Sequence, residues 1–101
     1  MKVFISQPIT GKSTAEIMAT RKNVTTKVKS KYPDATIINS VMLGGNDTND
    51  IKYLGITISL MADADIIVFV NDISNSKGCQ VEYYVASLYD KKIINESELD
   101  N

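Results

Sequence analysis

The chain contains no histidine, so any nucleophile, acid or base must come from a carboxylate, a tyrosine, a lysine or the one thiol, Cys79. Two stretches gather such groups beside turn-forming residues. One is "SQPITGKS", Ser6–Ser13; the other is "SKGCQVEYYVASLYDKKII", which contains Glu82. The absent histidine also removes Ser-His and Cys-His pairs and the usual zinc ligands.

"SQPITGKS" lies one residue from the phosphate-cradling pattern G-x-x-x-x-G-K-[ST], with Ser6 in place of the first glycine. Two features oppose a triphosphate cradle. Pro8 has no N–H to offer, and Ser13 is committed as a helix cap by "STAE", a capping box with Glu16. "IIVFVND" has only the outline of a Walker-B strand. Two readings of the turn remain. Gly11, Lys12 and the helix start form an anion site, or Lys12 is a solvated side chain on a tight turn. For Glu82 the alternatives are a reacting carboxylate, or one favoured by the helix dipole at about 0.3–1 kcal/mol and needing no function.

The elements that must position these residues alternate. Lys2 to Ser6 reads as a strand, and Thr14 to Lys31 as a helix with an Ile17, Met18, Val24, Val28 stripe, stopped by Pro33. Ala35 to Asn39 is a second strand and Gly44-Gly45 centres a loop. A second helix spans Ile51 to Ala62, with Ile51, Leu54, Ile58 and Met61 on one face. Ile66 to Val70 is a continuous apolar strand, expected of a parallel sheet covered on both faces. A third helix, Cys79 to Asp90, is expected to carry Val81, Val85 and Leu88 inward, while Cys79, Glu82, Ala86 and Tyr89 share another face. "KKIIN" is a last strand, and residues 96–101 are expected to be a frayed acidic tail after one domain, 1–95.

This order predicts an α/β fold: a small flavodoxin- or Rossmann-like three-layer sandwich, with about four parallel strands in the order 2-1-3-4. Its switch point lies between the first and third strands, where ligands of such folds bind. The loops there are "SQPITG" and "NDISNSKG". By topology the expected ligand-binding residues are therefore Ser6, Gln7, Pro8, Ile9, Thr10, Gly11, Asp72, Ser74, Ser76 and Gly78, with Lys12 beside them; the spacing leaves both readings of Glu82 open.

Net charge is −1, with 11 Lys+Arg against 12 Asp+Glu and no basic block, which argues against duplex nucleic acid as a partner. No apolar run suits a membrane span or signal peptide. One cysteine excludes an intrachain disulfide and points to a cytoplasmic setting. Abundant Lys, Asn and Ile suggest an AT-rich source, such as a low-GC bacterium or its phage.

"VFISQPITG", "ADADIIVFV" and "GCQVEYYVASLYDKKII" together resemble the nucleoside 2-deoxyribosyltransferase-like superfamily, which includes deoxynucleoside-monophosphate N-glycosidases. The likeness runs in order along nearly the whole chain and is greatest to a small, phage-associated branch. It implies that Glu82 attacks an anomeric carbon, with no cofactor and no metal. It also implies that Gln7, Ile9, Thr10, Gly11 and Lys12 contact ribose and a 5′-phosphate, and that Asp72 to Ser76 face base or sugar. The chain departs where the enzymes carry an Asp on the second helix, here Thr57, and at Gln80, Tyr84 and Phe4. The resemblance implies a small-molecule nucleotide or nucleoside partner and a homo-oligomer of dimer size or larger, with Tyr83, Tyr84 and Tyr89 as candidate contacts. Two functions follow: N-glycosidic cleavage or transfer by Glu82, or a phage-type protein that sequesters a nucleotide signal, such as an ADP-ribose-derived cyclic molecule, without turnover.

Overall fold

The β-branched and aromatic run at the start of the chain alternates its side chains between two faces. Val3 and Ile5 point to one apolar cluster and Phe4 to another. The strand Lys2–Ser6 (β1) is central because both of its faces are apolar. It pairs in parallel with Thr36–Ile37 (β2) and with Ile66–Phe69 (β3), and β3 pairs in parallel with Lys92–Asn95 (β4). The resulting sheet has the order β2-β1-β3-β4, with Ser6 aligned to Phe69 at the carboxyl ends of the central pair. This computed structural model describes residues 1–40 and 50–100. The expected Gly44-Gly45 loop lies outside them.

Helix α1, Thr14–Lys31, packs Val24 and Val28 against Val3, Ile5, Ile66 and Val68. Helices α2, Asp50–Met61, and α3, Lys77–Leu88, cover the opposite face, where Met61 and Ala86 meet Phe4, Ile67 and Phe69. The molecule is thus a small Rossmann-like sandwich of three layers. Among the described residues, no helix is long and apolar enough to cross a membrane.

Ser13 caps α1 as its sequence demands. Its Oγ accepts from the Glu16 N–H at 3.1 Å, and the Glu16 carboxylate accepts from the Ser13 N–H at 3.3 Å. Helix α3 ends differently. Asp90 stands at φ 56°, and the Lys91 N–H reaches the Ala86 carbonyl at 2.9 Å, the Schellman arrangement that normally recruits glycine. Asp90→Gly removes the Cβ strain, and we expect it to stabilise the fold by about 0.5–1 kcal/mol. Thermal unfolding should show a rise in Tm; a fall would contradict this account of the cap.

Four expectations are corrected. Helix α3 buries Cys79, Glu82 and Ala86, whereas Val81 is exposed and Leu88 is 59% exposed. Small Ala86 lets the helix approach Phe4 and Phe69 closely, and a hydroxyl from β1 satisfies the Glu82 carboxylate, so Val81 and Leu88 turn outward while Val85 stays half-buried against the core. In α1 the stripe is Ile17, Arg21, Val24 and Val28, with Met18 exposed; in α2 Ile51 is exposed and Thr57 is buried. The acidic end is not frayed. Glu96–Leu99 forms a 3₁₀ turn that buries Glu96 and Leu99. Glu96 accepts from the Asn71 N–H at 2.9 Å, and Lys27 bridges Glu96 and Asp100 at 2.8 Å each.

Candidate functional site

The carboxyl end of β1 delivers Ser6 and Gln7 into the space between the layers, and both are buried. From the α3 side comes Glu82, only 6% exposed, whose Oε1 accepts from the Ser6 hydroxyl at 2.6 Å. Glu82 reaches this position because Ser76 caps α3, its Oγ accepting from the Cys79 N–H at 3.3 Å. That cap sets the helix so that Cys79 and Glu82, three residues apart, face the strand end together. The buried Cys79 thiol adjoins the Ser6 and Ser76 hydroxyls.

Burial raises the Glu82 pKa above the usual carboxylate range, and hydrogen bonds from Ser6 and Thr57 oppose the shift. The Cys79 thiol is likewise raised by burial, against the pull of its hydroxyl neighbours. Thr57, on α2, has one hydroxyl proton and two claims on it. It donates to the Leu54 carbonyl at 2.9 Å and also lies within reach of Glu82. With the proton on Leu54, the Thr57 oxygen can accept from a protonated Glu82. When Glu82 ionises, the hydroxyl can donate to it only by releasing Leu54.

Arg21 enters from α1 and is 8% exposed. It donates to Gln7 Oε1 at 3.2 Å and to the Ile38 carbonyl at 2.6 Å, while Gln7 donates to the Ile17 carbonyl at 3.0 Å. Tyr53, on α2, donates to the carbonyl of buried Ser40 at 3.2 Å. Its phenol pKa is raised by burial first and by Glu82 second. The crevice thus joins β1, helices α1, α2 and α3, and the chain after β2.

The residues expected at the site separate into groups. Ser6, Gln7 and Glu82 share the buried crevice, and Ser76 acts there as a helix cap. Pro8 and Ile9 are half-buried behind it. Thr10, Gly11 and Lys12 form an exposed turn, closed by the Lys12 N–H on the Ile9 carbonyl at 3.1 Å, with Gly11 at φ 81°. Such a turn needs glycine at its third position. Asp72 and Ser74 line a separate open groove of about 550 Å³ with Ile73, Gln80 and Tyr83, and Asp72 there has φ 65°. Gln80 donates to the Ser74 carbonyl and braces this loop. Gly78, half-buried, lies in the first turn of α3.

Reasoning from sequence missed Arg21, Ser40 and Tyr53. For Arg21 a signal existed: it continues the Ile17–Val24–Val28 spacing better than Met18 does, and it is the chain's one arginine. Among the described residues, no cluster of three or more His, Cys, Asp or Glu could hold a metal.

Comparison with known families matches residues 1–95 to the model described as a domain of unknown function (DUF4406). Neither a curated protein nor a solved structure matches the chain.

Proposed function

We propose that this chain, which belongs to the DUF4406 family, binds a nucleoside or nucleotide at the carboxyl ends of β1 and β3 and cleaves its N-glycosidic bond with Glu82. The observation that carries this reading is the buried Glu82 carboxylate held by Ser6 at 2.6 Å, at the switch point of a parallel sheet. The resemblance to nucleoside deoxyribosyltransferases supplies the substrate class.

The chemistry balances without a metal. A Glu82 carboxylate oxygen bonds to the anomeric carbon as the carbon–nitrogen bond breaks, and the departing base takes the electron pair and a proton from solvent. A water oxygen then bonds to the same carbon, the ester bond to Glu82 breaks, and the water proton leaves to solvent. Ser6 fixes one carboxylate oxygen, so attack needs little reorganisation.

Because the ionised carboxylate is the reacting form, its raised pKa has a kinetic consequence. Base release should climb with pH through an ionisation above the ordinary glutamate range. Ser6→Ala removes a bond to the charged form and should move that limb to higher pH, with a rate loss of about 10-fold below it. A profile flat from mildly acidic to neutral pH would argue against Glu82 as nucleophile.

A second reading, sequestration of an intact nucleotide signal, draws on Thr57. The resembling enzymes carry at that position an Asp that helps to orient the nucleophile and the sugar, and the Thr57 hydroxyl, engaged with the Leu54 carbonyl at 2.9 Å, does not replace it. Incubation with a panel of nucleosides, nucleotides and cyclic ADP-ribose-type molecules, followed by chromatography before and after heating, separates the two. Free base appearing at once supports cleavage, and intact ligand released only by heat supports sequestration. If no member of the panel is bound or cleaved, both fall.

A further inference from the structure

We infer that the groove between α1 and β2 is a binding site for a phosphate-type oxyanion, gripped by Arg21 and Lys22. This groove of about 420 Å³ is lined by Arg21, Lys22, Thr25, Thr26 and Asn39 along its polar side. Met18 and Ile37 complete its wall, and no acidic residue lines it. It is distinct from the exposed Gly11–Lys12 turn, where the sequence points for an anion.

Arg21 is the reason to expect a ligand here. More than nine-tenths of it is buried, yet no carboxylate pairs with it among the described residues. Its hydrogen-bond partners are neutral acceptors, Gln7 Oε1 and the Ile38 carbonyl, one on each terminal nitrogen. A guanidinium has about five N–H donors, of which these acceptors take one on each terminal nitrogen, and among the described residues no buried side-chain nitrogen is left without a partner. A buried cation without a counter-charge is costly, and a bound oxyanion would offset that cost. The planar fork matches two phosphate oxygens. Gln7 is itself held by the Ile17 carbonyl, so the fork is oriented before any ligand arrives. Lys22 is exposed at the rim, with no ion pair among the described residues, and adds a second positive charge. The second groove, beside α3, carries Asp72 and does not suit an anion.

The inference stands without Glu82 reacting. It touches the nucleotide reading only because a nucleotide's phosphate is one source of such an anion; free phosphate is the other. Pyrophosphate should be titrated against the full chain at constant ionic strength, with binding read from amide shifts and from the rise in Tm. Saturable shifts centred on Lys22, Thr25 and Asn39 are expected. Lys22→Glu, which alters an exposed side chain, should weaken binding at least 10-fold while leaving the unliganded Tm unchanged. Arg21→Lys, which keeps the charge but loses the fork, should weaken it similarly, and Glu82→Gln should leave it intact. A 5′-monophosphate binding more tightly than inorganic phosphate would assign the anion to a nucleotide; equal affinity would assign it to free phosphate. Unchanged affinity in Lys22→Glu, loss on Lys12→Glu instead, or no saturable binding would overturn the inference. None of those three results bears on the glycosidic reading, which phosphate-free nucleosides test separately.

Discussion

Glu82→Gln is expected to lower base release from any nucleoside or nucleotide substrate by at least about 10³-fold, because the amide cannot form the glycosyl ester. Binding should survive within a few-fold, since glutamine keeps the shape and can still accept from Ser6, the bond now seen at 2.6 Å. The same substitution carries a stability signature of opposite sign. Folding raises the Glu82 pKa above its unfolded value, chiefly by burial. The stability this group contributes is therefore full below the ordinary glutamate pKa, and it is lost as pH rises through the folded value. Glu82→Gln abolishes that loss. Its Tm should exceed that of the parent at pH 8 and approach it at pH 4, by circular dichroism melts at both pH values. A variant that is inactive and also less stable at pH 8 would mean that Glu82 is a structural carboxylate. A variant that is more stable and inactive would fit a group kept for function at the expense of stability.

The second large effect concerns Arg21→Ala. Removing this side chain relieves a buried cation, whose pKa burial already lowers, but leaves Gln7 Oε1 and the Ile38 carbonyl without their donor. It also strips the packing of a long stem between α1 and the sheet end. Orphaned buried acceptors cost about 1–3 kcal/mol. We expect a net loss near 2 kcal/mol, which lowers the Tm of a domain this size by roughly 8–16 °C. Gln7→Leu in the same background should recover part of the loss, because it deletes one orphan. A double-mutant cycle in urea would show the coupling directly. Additive single and double losses would mean that Arg21 and Gln7 do not act as a unit.

These two residues also mark how far sequence reasoning reaches. Glu82 stood out in the chain through the resemblance of "GCQVEYYVASLYDKKII" to the deoxyribosyltransferase-like superfamily, since its place near the start of a helix alone is also met by a carboxylate that the helix dipole favours. Its shared face with Cys79 and Ala86 could be read from spacing. That this face would be the buried one could not. Val81, Val85 and Leu88 present the more apolar stripe, and hydropathy prefers them inward. Arg21 was passed over because charge alone argues for the surface, although its spacing from Ile17 and Val24 placed it on the inner stripe.

What the sequence by itself determined is local or patterned. The Ser13–Glu16 box starts α1, and the continuous apolar run Ile66–Val70 reads as an inner strand between turn signals. The alternation of strands and helices leads to the parallel order β2-β1-β3-β4. These features depend on neighbours within a few residues and on period, which the chain carries explicitly. Only the tertiary structure decided how each helix is rotated against the sheet. It also decided that the acidic end folds back through Lys27 and Glu96, 69 residues apart in sequence. The physical reason is the same in each case. Rotation and long-range pairing depend on whether a specific distant group satisfies a buried polar atom. Ser6 does so for Glu82, Gln7 and the Ile38 carbonyl do so for Arg21, and Lys27 with the Asn71 N–H does so for Glu96. No window of neighbouring residues contains that information.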